Sequence, residues 1–519
     1  MPRTILVSAA LASLSVAQAF AGDGPPGALI SLGSLAASGG GFKILNRDTL
    51  DEAGIAITGV GDVNRDGRAD LLIGVKYDGS AGHEAGAAYV VLGKTDGATA
   101  DLAEVGAGRG GFKITGEAAG DHTGYAVAGP GDVDRDGVAD LLVGGRYNDA
   151  AGKDAGAAYL VRGKADGGEI KLRDVAGGLG GFKILGQIAN DYAGFSVAPA
   201  GDMNGDGARD LLIGAHYNDA GGATAGAVYV VFGKTGGGVV DLDNVARGVG
   251  GFRIVGQAAG DQAGWSVAAL GDMNGDGRGE LLIGAPTNAG GGTKSGAAFV
   301  VFGKATGTEV RLASLGTAGF RIVGERGTDN AGWSVASAGD MNGDGRGDLV
   351  IGARANDANG TDSGAAYVVW GKAATTAVNL DNVATGKGGF KILGQAAGDY
   401  AGWSVAGIGD VNGNGVPDLL VGAVRHDTPA ANAGAAYVVY GKKSGTAIRL
   451  ADVAAGTGGF RIVGEAAGDW AGTSVAAGGD INGDGRPDLL VGCRFNDEGA
   501  FDAGAGYVVF GADSWLGDS

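Results

Sequence analysis

The sequence predicts an all-β fold, a seven-bladed β-propeller of four-stranded blades, and three observations carry that reading. Asp62, Asp132, Asp202, Asp272, Asp340, Asp410 and Asp480 open near-identical segments 70 residues apart, with one step of 68. Phe42, Phe112, Phe182, Phe252, Phe320, Phe390 and Phe460 keep the same step inside a Gly-Phe-Lys/Arg-Ile run. Seven copies at one period mean a repeat architecture. Each copy also holds four short runs rich in β-branched and aromatic residues.

In the third unit these runs are 181–185, 195–198, 210–214 and 227–232, each bounded by Gly or Asp, which is the signature of short strands. No stretch sustains a 3.6-residue apolar stripe with caps, so almost no helix is expected. Four strands repeated radially describe a propeller blade. After Asp480 the chain supplies three strands, ending at 507–511, and no fourth. The spare Gly-Phe-Lys-Ile-Leu run at 41–45 is expected to close the seventh blade as its outer strand, so that the two ends of the ring are held by hydrogen bonds. The propeller is therefore placed at residues 41–511, after a lead-in of 22–40 and before a tail of 512–519.

Glycine makes up 111 of the 519 residues, a share that without a period would argue for disorder. Here the glycines recur at fixed places and read as turns. Asp and Glu number 58 against 39 Lys and Arg, a net charge of −19, and no basic stripe offsets it; nucleic acid is not an expected partner. Residues 1–21 read as a signal peptide: Arg3, an apolar run to Val16, then small-residue sites at Ala17-Gln18-Ala19 and Ala19-Phe20-Ala21, with cleavage before Phe20 or Gly22. The mature chain is expected to be secreted, extracellular or periplasmic. No other apolar run is long enough to span a membrane. The lone Cys493 stands where other repeats have Ala215 or Ala285 and is expected to be a small core residue.

Each repeat carries Asp-x-Asn/Asp-x-Asp/Asn-Gly-x-x-Asp/Glu between its second and third strands. Side chains at positions one, three and five converge, Gly at six allows the sharp turn, the carbonyl at seven adds an oxygen, and a carboxylate at nine completes the set. An all-oxygen set of this kind suits Ca²⁺. The candidate ligands are Asp62, Asn64, Asp66, Arg68 and Asp70 in loop 62–70, and Asp132, Asp134, Asp136, Val138 and Asp140 in loop 132–140. Loop 202–210 offers Asp202, Asn204, Asp206, Ala208 and Asp210, and loop 272–280 offers Asp272, Asn274, Asp276, Arg278 and Glu280. Loop 340–348 offers Asp340, Asn342, Asp344, Arg346 and Asp348. Loop 410–418 offers Asp410, Asn412, Asn414, Val416 and Asp418, and loop 480–488 offers Asp480, Asn482, Asp484, Arg486 and Asp488. Position twelve is a strand residue such as Ile73, not the Glu of an EF-hand. The expectation is up to seven Ca²⁺, which would offset most of the net charge.

The unit resembles the FG-GAP repeat of the integrin α-chain N-terminal propeller. In the fourth repeat the residues carrying the likeness are Gly264-Trp265-Ser266-Val267-Ala268, the loop Asp272 to Glu280, and Leu281-Leu282-Ile283-Gly284-Ala285-Pro286. The resemblance covers residues 42–511 and implies a calcium-stabilised propeller with an adhesion or recognition role. The chain departs from the family in carrying the loop in all seven repeats.

Strand order puts the calcium loops on one face and gathers the irregular loops on the other. That second face presents Tyr125, Phe195, Trp265, Trp333 and Trp403 at one equivalent position, with Ile55 and Thr473 filling it in the remaining repeats. In integrin-like propellers equivalent aromatics surround the central axis. Asp121, Asp191, Asp261, Asp329, Asp399 and Asp469 share another position nearby, and an aromatic ring fringed by carboxylates is expected to attract a cationic knob. Ser266, Ser334 and Ser404 recur with the strand and read as structural. The sequence shows no asymmetric acid–base cluster, so the expected role is binding an extracellular protein or glycan on this face rather than catalysis. A calcium-dependent lectin is the alternative, and a propeller polysaccharide lyase or glycosidase ranks third.

Overall fold

A computed structural model describes residues 29–164 and 167–515; the signal peptide expected at 1–21 lies outside the described residues. Seven sheets are arranged as blades. Numbered by inner strand, blade one begins at Ala53–Gly61, two at Thr123–Gly131, three at Ser196–Gly201, four at Ser266–Gly271, five at Ala331–Gly339, six at Ala401–Gly409 and seven at Ala471–Gly479. In blade five the second strand is Asp348–Ala353, the third Ala365–Val369 and the outer Gly389–Leu393, paired antiparallel in that order. Their alternating β-branched residues are buried on both sides, as expected of a sheet sandwiched between two others.

Six of the four-stranded blades gain a fifth, two-residue strand that sequence patterning did not reveal. It comes from the next repeat: Ile448–Arg449 lies parallel to the outer strand of blade five, with Ile392 opposite Ile448. A five-residue helix follows, Leu450–Ala454, which seals the blade edge with the buried Leu450 and Val453. One helical turn offers a single i, i+3 apolar pair, too little to register as a period.

The ring closes as expected, with Gly41–Leu45 antiparallel to Ala505–Val509 and Phe42 opposite Val508. The lead-in takes part as well. Leu29–Ser31 is the fifth strand of blade six, with Ile30 opposite Ile462, and Leu32 and Leu35 are buried where five other repeats place the leucine and valine of their short helix. At the outer edge, six blades stack a lysine on the outer-strand phenylalanine, as Lys304 does on Phe252 at 4.1 Å. Blade six has no such lysine, and Trp515 packs on Phe460 instead, with ring centroids 5.0 Å apart.

The core lies between blades rather than within them: Val300, Phe320 and Ile322 of blade four interlock with Val335, Leu349 and Ile351 of blade five. Near the axis the spacing tightens to backbone contact. The hydroxyls of Ser266, Ser334 and Ser404 each donate to a glycine carbonyl of the following blade, at 2.9, 2.9 and 2.7 Å, so these serines are structural, as expected. A Cβ on Gly352 would overlap the Gly402 carbonyl oxygen on that blade. Gly352→Ala is therefore expected to cost about 2 kcal/mol by overpacking, measured by denaturant unfolding; an unchanged midpoint would show that the blades are free to separate there.

The outer-strand basic residue is also structural. Lys391 is buried and pairs with Glu325 at 2.6 Å across the interface of blades four and five, and Lys183 pairs with Glu117 in the same way at 2.7 Å. Cys493 is fully buried in the second strand of blade seven.

Candidate calcium loops and the aromatic face

The acidic loops all sit at the turn from inner to second strand, so one end of the ring carries all seven. In loop 62–70 the Asp62 carboxylate accepts from the Asp66 and Gly67 amides at 3.1 and 2.9 Å, and Asp66 accepts from Arg68 N at 3.0 Å. These bonds hold the turn closed. Among the described residues, two loops bring three carboxylates within 4.8 Å of one another: Asp132, Asp134 and Asp136, and Asp272, Asp276 and Glu280. In the other five loops position three is Asn, as it is in loop 272–280, where the longer Glu280 side chain reaches the shared point. The donor set is oxygen throughout and fits a hard divalent cation.

Position nine has a second task. Asp348 is fully buried, and its two oxygens accept from Met341 N at 2.8 Å and Gly371 N at 2.7 Å. It thus staples the loop to the segment leaving the third strand. The same pair of bonds recurs at Asp70, Asp210 and Asp488. Burial pushes the carboxyls of Asp70, Asp140, Asp210, Asp348, Asp418 and Asp488 up to about 6, and that of Glu280 to about 7. A cation would favour their ionised form.

On the opposite face the five aromatics form an unbroken ladder around the axis. Successive ring centroids lie 5.0 Å apart from Tyr125 to Phe195, 4.8 Å on to Trp265, 4.6 Å on to Trp333 and 5.3 Å on to Trp403. All but Phe195 keep part of their surface open. A second, outer tier was not anticipated. Tyr147, Tyr192 and Tyr217 are linked at 5.2 and 5.1 Å, and Trp470 packs on Trp403 at 5.9 Å. Tyr192, Tyr400 and Trp470 hold left-handed backbone (φ 56°, 55° and 56°), as do Glu52, His122, Gln262 and Asn330 at the same turn position of the other blades, so this conformation belongs to the repeat.

The carboxylates do not fringe this ring as expected. Asp121, Asp191, Asp261, Asp329, Asp399 and Asp469 are all buried. Five accept from an asparagine amide of the next loop, as Asp329 does from Asn356 at 2.6 Å, and Asp399 bonds His426 at 3.1 Å. Short Asp side chains in tight turns fold back on their own surroundings. The cation expected from a partner is already supplied by the chain: the Arg354 guanidinium lies 3.5 Å from the Trp333 ring centroid and Arg146 3.8 Å from that of Tyr125. Their position, directly after the second strand, carries no repeat signal in the sequence, because Pro286 and Val424 stand there in other blades.

Burial holds Asp121, Asp191, Asp329 and Asp469 up at about 6, against about 3.9 in an unfolded chain. The folded state therefore binds more protons than the unfolded between these values. Their contribution is greatest below about pH 4 and is lost as pH rises through 6. Asp329→Asn is expected to flatten the fall in stability between pH 4 and 6 by at most about 1.4 kcal/mol per pH unit. Denaturant titrations of both proteins in chelator test this, and parallel pH profiles would contradict it.

The fold and its loops define a seven-bladed propeller with an acidic nonapeptide turn on every blade and an aromatic opposite face. The FG-GAP repeat model matches residues 54–91, 193–231, 263–301, 331–369, 401–439 and 471–509, the inner three strands of six blades. The chain is an FG-GAP repeat propeller that resembles the integrin α chains. It is 29% identical to integrin alpha-PS2 of Drosophila melanogaster over 243 residues, 46% of this chain and 16% of that protein. It is also 29% identical to integrin alpha-V of Gallus gallus over 245 residues, 46% of this chain and 21% of that one. Phosphatidylinositol-glycan-specific phospholipase D of Rattus norvegicus is 35% identical over 161 residues, 30% of this chain and 18% of that protein. The alignments thus span 16 to 21% of these relatives' own length. No described helix is long and apolar enough to cross a membrane.

Proposed function

We propose that this chain is a secreted, calcium-binding interaction module that captures an extracellular protein on the face opposite its calcium loops. The observation carrying this reading is the composition of that face: a part-exposed ladder of Trp and Tyr interleaved with Arg, held on loops by a rigid ring. Those three residue types are the ones enriched in energetic centres of protein interfaces. Support for the calcium ligands comes from the oxygen-only loops, and support for an extracellular partner from the integrin relatives.

A lectin would need open ring faces, but Arg354 covers Trp333 and Arg146 covers Tyr125. We read the module as non-enzymatic, since the buried carboxylates of this face are tied up with asparagine and histidine partners. Capture from an extracellular protein fraction, run beside a glycan array with calcium and with chelator, tests the proposal. A calcium-dependent protein partner and a blank array are expected; calcium-dependent glycan binding alone would replace it with the lectin.

A further inference from the structure

The residue directly after each second strand lies beside the axis on the aromatic face. Blade by blade it is Lys76, Arg146, His216, Pro286, Arg354, Val424 and Arg494. Three cations therefore fall on the consecutive blades seven, one and two, the arc where the aromatic ladder is interrupted by Thr473 and Ile55. Only one of them is matched. Lys76 is buried and pairs with Glu52 at 2.8 Å, while the neighbouring Glu84 is taken up by His122 at 3.1 Å. Arg146 and Arg494 have no ion pair or hydrogen bond among the described residues, and their Nε atoms are buried without an acceptor. What holds them is aromatic: Arg146 lies over Tyr125 and Tyr147 at 3.8 and 4.5 Å, and Arg494 over Phe495 and Trp470 at 4.5 and 4.9 Å.

We propose that the arc between Arg146 and Arg494 is a receptor for a single carboxylate presented by an acidic side chain of the partner protein. The proposal rests on the interaction role given above and names the chemistry that the partner brings. Stacked guanidinium groups are fixed in plane, and a planar fork matches a carboxylate in two parallel hydrogen bonds. Unpaired, partly buried cations are costly, and a carboxylate placed between them removes that cost. Burial already holds Arg494 below its usual range.

The surroundings favour one short anion over a polyanion. The exposed Asp149, Asp219, Asp427 and Asp497 stand in the loops around the opening, and the chain as a whole is strongly acidic. A sulfated polysaccharide would have to cross that rim, where like charges repel. An Asp or Glu on a protein loop reaches past it.

The test uses the full-length protein with ¹⁵N-labelled arginine and the probe peptide acetyl-Gly-Glu-Gly-amide. The Nε–Hε signals of Arg146 and Arg494, assigned from Arg146→Lys and Arg494→Lys, are expected to shift saturably with this peptide. They should stay still with the Gln analogue. Arg494→Gln should weaken the peptide about tenfold or more, read on the Arg146 signal. Silence of both signals at millimolar peptide overturns the proposal. A response to a sulfated tetrasaccharide without one to the peptide overturns it in favour of a glycan. Because the probe needs no partner, a failure here leaves protein capture by this face standing. Loss of that capture with the peptide response intact strikes the interaction role alone.

Discussion

Excess chelator is expected to lower the melting temperature of the protein steeply, and calcium to restore it. The seven loops hold 21 carboxylates, and in six of them the buried one at position nine ties the loop to the exit of the third strand. A cation at this point screens the repulsion and fixes the junction of three strands at once. At free calcium ten times the dissociation constant, each site adds about 1.4 kcal/mol, so seven add about 10 kcal/mol, comparable to a whole folding free energy. Scanning calorimetry with and without chelator measures it. Superimposable melting curves would falsify the claim that calcium holds the ring together. Because the loops lie on the face away from the aromatic ladder, single-loop substitutions should act on stability and leave the affinity of the surviving folded protein unchanged.

Trp333→Ala is expected to weaken capture of the protein partner by about 2 kcal/mol or more. Trp333 sits mid-ladder between Trp265 and Trp403 at 4.6 and 5.3 Å and carries Arg354 on its face. Removing it takes away contact area and frees the guanidinium it orders. Its side chain lies on the open face, outside the inter-blade core, so melting behaviour should change little. Surface plasmon resonance on the captured partner reads the affinity. Undiminished binding by a folded Trp333→Ala protein, with binding lost on altering a calcium loop that leaves the ring folded, would reverse the assignment of faces.

Why did some features show in the sequence and others not? The Gly-Phe-Lys/Arg-Ile runs and the nonapeptides each recur seven times at a near-fixed step and the aromatic residue five times, so periodicity alone exposed the blades, the loops and the closing strand. The fifth strand and the one-turn helix are shorter than any window in which periodicity can be read. Asp329 and its equivalents looked like a charged fringe because a buried turn-capping aspartate and an exposed one have the same local sequence; only the partner loop, with Asn356 at 2.6 Å, tells them apart. Arg146, Arg354 and Arg494 were missed for the opposite reason. They occupy an equivalent position, but Pro286 and Val424 break the pattern there, and no repeat signal remains.

The way the ring is joined bears on how it responds to mechanical load. Gly41, where the N-terminal strand enters, lies opposite Val509, where the C-terminal strand leaves. Tension applied at these two points would open the pair like a zipper, one hydrogen bond at a time, rather than shearing all of them together. Leu29–Ser31 beside blade six, the buried Leu32 and Leu35, and Trp515 on Phe460 stand between the zipper and any pull from outside. These anchors lie on the neighbouring blade, so a force on either end must dislodge blade six's edge before it reaches the seam. A molecule tethered at both ends would lose its edge contacts first and its circular fold only afterwards.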